Sequence, residues 1–89
     1  MSELPVPGNV FFSDFAGEVV NYHLERAGTV ISVVRGIPNR ENRKSVIHFE
    51  FKSGIQLDDV LISPTERLLV KSIEIETYNS VPELITVFV

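Results

Sequence analysis

Residues 60–89 read VLISPTERLLVKSIEIETYNSVPELITVFV, and the reading of this stretch decides the fold. It breaks at Ser63-Pro64-Thr65-Glu66 and again at Tyr78-Asn79-Ser80, so it reads as strand, turn, strand, turn, strand. Pro64 presets the backbone angle needed at the second position of a tight turn, and Asn79 tolerates a left-handed conformation. Between the turns, the run Arg67 to Thr77 carries Leu69, Ile73 and Ile75 on one face. Leu68 and Val70 occupy the other face before Glu74 and Glu76 take it over. A strand whose first half is apolar on both sides is expected to cross the centre of a sheet or to bend into a closed barrel. Its second half should be wet on one side. The last strand, Leu84 to Val89, ends on Val87-Phe88-Val89, an apolar terminus that something must cover.

Upstream, Ser45 to Phe51 alternates: Ile47, Phe49 and Phe51 on one face, Val46, His48 and Glu50 on the other. Such alternation predicts one dry and one wet side. Thr29 to Val34 is rich in β-branched residues and forms a strand that stops at Gly36 and Pro38. Between them, residues 35–44 lack periodicity and hold four basic side chains against one acid. They are expected to form a long solvent-exposed loop.

The stretch Ser13 to Ala27 has a capping candidate in Ser13 or Asp14 and a terminating Gly28, with Phe15, Val19, Tyr22 and Arg26 at helical spacing. It predicts a helix. Gly17 and the Val19-Val20 pair weaken that reading, and a strand from Glu18 to Leu24 is the alternative. Residues 1–9, with Pro5, Pro7 and Gly8, read as an extended N-terminal arm in front of one domain over 10–89.

Eighty-nine residues, 44% of them apolar, suffice for one small core. Cysteine is absent, which removes disulfides and thiolate zinc sites; two histidines alone cannot hold a metal tightly without carboxylates. A net charge of −4 argues against a general nucleic-acid binder, and no apolar run approaches the roughly 20 residues of a membrane helix. The start of the chain lacks the pattern of a secretory signal, so a cytoplasmic location is the expectation. The five glycines are scattered and no Lys-Ser or Lys-Thr pair follows any of them, so no phosphate cradle is expected.

His23 and His48 are read as surface residues, and a catalytic role for His48 with a nearby acid is the minor reading. Asp58 and Asp59, adjacent on an extended chain, point to opposite faces and suit a turn better than a paired-acid site. The sharpest signal is charge segregation. Residues 35–44 carry +3, which leaves −7 for the rest of the chain. Arg35, Arg40, Arg43 and Lys44 of one copy are therefore candidates to meet Asp58, Asp59, Glu74 and Glu76 of another, with Phe88 and Val89 as apolar contacts. The plain alternative is a solvated hairpin tip. No aromatic residue lies within the loop to stack on a base.

The order Leu57-Asp58-Asp59-Val60-Leu61-Ile62, a tight turn, Leu69-Val70-Lys71-Ser72-Ile73, and a turn with Asn79 before a last apolar strand resembles the small β-barrel head-tail connector proteins of tailed bacteriophages, including head-closure, neck and tail proteins. The resemblance covers roughly residues 29–89. In two places the chain departs from that layout: Asp59 is not preceded by Gly, and the residue after the turn is Leu rather than an aromatic. The resemblance implies a ring around a central channel, with loops and terminal arms on neighbouring subunits and residues 35–44 as the long loop.

Together these readings predict a mainly β, α+β domain: a small antiparallel barrel or strongly bent sheet of about five strands, with one N-terminal helix. The expected core is Phe15, Val19, Ile31, Val33, Ile47, Phe49, Phe51, Leu61, Leu69, Ile73, Ile75, Ile85 and Val87. The expected function is a non-enzymatic structural protein of a phage or prophage virion that needs no cofactor. Its partners would be protein: its own copies or other virion proteins, with a virion location if the resemblance holds. Neither membrane nor nucleic acid is an expected partner. A monomeric SH3-like module for peptides is the alternative from another class.

Overall fold

The structure, a computed structural model, describes residues 2–41 and 43–89. The described chain is mainly β with one α-helix. In chain order it runs β1 (Ser2–Glu3), α1 (Gly8–Asp14), a 3₁₀ turn (Ala16–Glu18), β2 (Val20–Arg26), β3 (Thr29–Glu41) and β4 (Lys44–Glu50). A second 3₁₀ turn (Phe51–Ser53), β5 (Val60–Ile62), β6 (Arg67–Leu69), β7 (Ser72–Tyr78) and β8 (Val81–Phe88) follow. The sheet order is β1-β7-β8-β4-β3-β2-β5-β6, antiparallel except where β1 runs parallel to β7. Seven strands and the two-residue β1 therefore replace the five expected.

The run from Arg67 does not cross the sheet centre: its first half is the outermost strand of the order, with Leu69 exposed. It bends at Val70-Lys71, so its first part, β6, pairs with β5 at one end of the sheet, and its second part, β7, pairs with β8 near the other. One end strand, β6, and the strand next to the other end, β7, are thus halves of one bent segment, and the sheet curls strongly. Val70 at the bend is fully buried, with its N–H donating to the Asp59 carbonyl and its carbonyl accepting from Asp58 N–H. Both turns of this ribbon form: Ser63 N–H donates to the Glu66 carbonyl, and Asn79 and Ser80 both take positive φ between the paired ends Tyr78 and Val81.

The core inside the curl holds Tyr22, Leu24, Val34, Ile47, Phe49, Ile55, Leu61, Val70, Ile85 and Val87. On the opposite sheet face, Phe12 of α1 packs on Ile37 and Leu84, with Leu4, Phe11 and Val19 beside them. α1 has only seven residues and no side-chain cap, too short to stand alone, so Phe12 docking holds it in place. Its first bonds run from Val10 and Phe11 N–H to the Pro7 carbonyl.

Several expectations fail for identifiable reasons. The helix expected at 13–27 is a strand from Val20: Tyr22 and Leu24 are buried, Asn21 and His23 exposed, a period of two that outweighs the coarser helical match. The real helix begins at Gly8, inside the stretch read as an arm, and Ser2–Glu3 pairs with β7. Ile31 and Val33 are not core residues. Register shifts between Leu24 and Glu25, where β3 bulges at Ile31, and Val34 faces the core beside Tyr22. Phe15, Phe51 and Leu69 are likewise exposed; Phe51 lies in a 3₁₀ turn, past the end of β4. β4 has no wet side, because it is central between β3 and β8 and α1 lies over its second face.

The long loop is also corrected. β3 and β4 pair from Gly36↔Phe49 out to Glu41↔Lys44, so 35–44 is a hairpin end, with Asn42 outside the described residues. β2 stops opposite Gly36, leaving residues 37–41 of β3 with β4 alone as neighbour. Pro38, which has no N–H, stands on that open edge, where it discourages strand addition.

Candidate functional site

Three cross-strand neighbours on the α1-covered face make a polar chain. His48 of β4 stands opposite Thr86 of β8, and Glu76 of β7 is the next side chain along. Thr86 Oγ1 donates to Glu76 Oε2 at 2.5 Å and meets His48 Nδ1 at 2.9 Å. Since the only hydroxyl proton goes to the carboxylate, Thr86 oxygen accepts and Nδ1 carries the imidazole proton. His48 Nδ1 and Glu76 Oε2 are 3.7 Å apart. His48, expected on the surface, is 6% exposed because the Phe11 ring of α1 packs edge-on against it at 5.5 Å.

This chain floors a pocket of about 400 Å³ lined by Leu4, Phe11, Phe15, Glu18, Ile37, Pro38, Asn39, His48 and Glu76. Phe11 and Phe15, four residues apart, pack with ring centres 5.0 Å apart and planes tilted by 45°. Ser53 Oγ is the one fully buried, unbonded side-chain polar atom among the described residues. His48 and Glu76 both line the pocket, and His48 Nε2 and Glu76 Oε1 make no hydrogen bond with a described residue. The pocket offers a base and an acid, but no Ser, Thr, Cys, Tyr or Lys among its lining residues. The order of groups also differs from a hydrolytic triad, where the imidazole lies between carboxylate and hydroxyl and activates the latter. Here the hydroxyl is in the middle and its proton is committed to Glu76.

The residues expected to make contacts fall into separate places. Arg40, Arg43 and Lys44 stand exposed at the hairpin end, and none makes an ion pair with a described residue. Arg35 is not among them: it pairs across strands with Glu50 at 2.9 Å, and Lys52 reaches the same carboxylate at 3.5 Å. Asp59 is no docking charge. It is 2% exposed and held by Arg26 Nε and Nη2 at 2.9 and 2.8 Å, with Gln56 N–H donating to it at 2.8 Å. That Arg26 fork, followed by the Gln56 bond and charge attraction, holds the Asp59 carboxyl below its ordinary range against the opposing effect of burial. Asp58 beside it is exposed at φ 69. Glu74 is exposed on β7, whereas Glu76 belongs to the polar chain. Phe88 and Val89 are half-buried and tied into the fold, Phe88 carbonyl accepting from Lys71 N–H and Val89 N–H donating to Ser45 carbonyl. His23 lies exposed on β2 opposite Val33 and Ile62.

Among the described residues no three His, Asp or Glu side chains are grouped to hold a metal ion, and no helix is long and apolar enough to cross a membrane. No protein-family model, curated protein or solved structure matches the chain.

Sequence reasoning missed Phe11, Phe15 and Glu18 as one site. Their spacing of four and three residues was the available signal, obscured by placing Phe15 in the core.

Proposed function

We propose that this chain is a non-enzymatic assembly protein that joins copies of itself, or neighbouring subunits, through the end of the β3–β4 hairpin. The observation that carries the reading is the set of three exposed basic side chains without ion-pair partners among the described residues, Arg40, Arg43 and Lys44, on a hairpin that extends past its neighbouring strands. Charge of one sign at a projecting end, on a chain of opposite net sign, speeds and orients encounter with an acidic surface. In this reading the curled sheet is a small barrel, and the assembly is the ring of a tailed-phage head-tail connector, as the segments Leu57–Ile62 and Leu69–Ile73 suggest.

Sedimentation velocity across protein concentration tests it, comparing the natural chain with one carrying Arg40→Glu, Arg43→Glu and Lys44→Glu. The expected outcome is a self-association that weakens with salt, because the contact is charged and screened, and that the triple substitution abolishes. A chain that stays monomeric at every concentration, with or without the substitutions, sinks the self-assembly reading.

A further inference from the structure

The pocket beneath α1 and the basic hairpin end are complementary. We propose that this pocket receives the guanidinium of Arg43 from a second copy of the chain. The proposal rests on the assembly reading above and names its receiving site.

The chemistry of the pocket selects a cation. Phe11 and Phe15 form an aromatic wall, and Phe15 is 43% exposed, a large apolar surface left open at the rim. A guanidinium over such rings gains cation–π attraction and planar stacking. Glu18 at the rim makes no ion pair with a described residue, and Glu76 keeps its Oε1 unbonded while Oε2 accepts from Thr86. Neither Lys nor Arg lines the pocket; His48, 3.7 Å from Glu76, is the only basic side chain among the lining residues, and Glu18 has no such neighbour among the described ion pairs. An anionic ligand would meet two carboxylates there, and a purely apolar one would leave both unpaired.

None of Arg40, Arg43 and Lys44 is among the residues that line the pocket. Ile37 packs under α1, so Arg40, three residues further along the extended strand, points to the opposite face. Arg43 stands at the apex with φ 66, beyond the Glu41↔Lys44 pair. At about 3.3 Å per residue, the apex lies roughly 10 Å past Asn39 and projects away from the pocket beside it. A second copy brings Arg43 to the mouth. A contact between two different surfaces is head-to-tail, so it propagates into a ring or a filament rather than closing as a two-fold dimer.

The test uses two full-length variants, Glu18→Lys and Arg43→Glu, studied separately and mixed by sedimentation velocity at low salt. Each alone should self-associate at least tenfold more weakly than the natural chain, since each places like charges at the contact. In an equal mixture, the Glu18→Lys chain supplies an intact Arg43 and the Arg43→Glu chain an intact pocket. A heterodimer of natural strength is therefore expected. Phe15→Ala should also weaken association while leaving the urea midpoint unchanged, because the ring is half out of the protein. A mixture as weak as its components overturns the proposal. If Arg43→Glu abolishes association while Glu18→Lys and Phe15→Ala leave it intact, the hairpin docks elsewhere: the pocket assignment falls and the assembly reading stands. A chain that never self-associates removes both.

Discussion

The ring of Phe49 lies over Gly36 of the neighbouring strand, so close that a Cβ on Gly36 would stand 2.6 Å from Phe49 Cε1 and 2.7 Å from Ile47 Cγ2. Gly36 and Phe49 are register partners, and Phe49 is completely buried at the centre of the core. The missing side chain is thus what lets the largest fully buried side chain pack against the backbone of β3. It also sets the phase of that strand: with Gly36 inward, Val34 is inward too, and Val33 is turned to solvent.

Gly36→Ala is expected to destabilise the fold by about 1–3 kcal/mol through overpacking, since both the Phe49 ring and Ile47 Cγ2 would have to shift to admit the Cβ. Urea denaturation checks this. Val33→Thr, two strand positions from the same core but facing water, should change the midpoint little, and a larger loss there than at Gly36 would refute this account of the register.

Much of this was legible beforehand and some was not. The hairpins at Ser63–Glu66 and Asn79–Ser80 were readable because proline and asparagine act locally, within four residues. The two-faced apolarity of Leu68, Leu69 and Val70 left a central strand and a bend equally open, and did not locate the break at Val70-Lys71. The phase of β3 was not readable either, because Val30, Ile31, Val33 and Val34 are chemically alike and only the distant Phe49 ring, through Gly36, decides which faces inward. The site beneath α1 was hidden for a similar reason. His48 alternates like a surface residue, and its burial depends on Phe11, which comes from a helix placed by Phe12 docking rather than by its own propensity.

The Arg26–Asp59 pair gives the stability of the chain an acid limb. Asp59 has its carboxyl pKa depressed in the folded state, chiefly by the Arg26 hydrogen bonds, so it contributes stability above the unfolded value near 3.8. That contribution falls away as pH drops through the folded value, because the unfolded chain binds the proton more readily. Asp59→Asn should cost about 2 kcal/mol at pH 7, less than a fully buried pair would, because Arg26 can turn toward water. It should also flatten the loss of stability on acidification from pH 5 to 2.5. Urea midpoints measured across that range decide the matter: a variant as stable as the natural chain at pH 7, with the same acid limb, would show that the pair contributes nothing.

Thr86 joins two ionisable side chains that form no other hydrogen bond with a described side chain: its hydroxyl proton goes to Glu76 and its oxygen takes the Nδ1 proton of His48. Thr86→Val keeps the shape and removes both bonds, leaving a buried imidazole N–H and a half-buried carboxylate facing each other at 3.7 Å. A loss of about 1–3 kcal/mol is expected, the cost of unsatisfied buried polar groups, while Thr86→Ser should retain most of the stability. Nitrogen-detected NMR of the imidazole supplies the readout that packing alone would not move. The natural chain should show the Nδ1–H tautomer of His48, and the valine variant should lose that preference. An Nε2–H tautomer in the natural chain would reverse the direction of the His48–Thr86 bond, and with it the argument that the Thr86 proton is committed to Glu76.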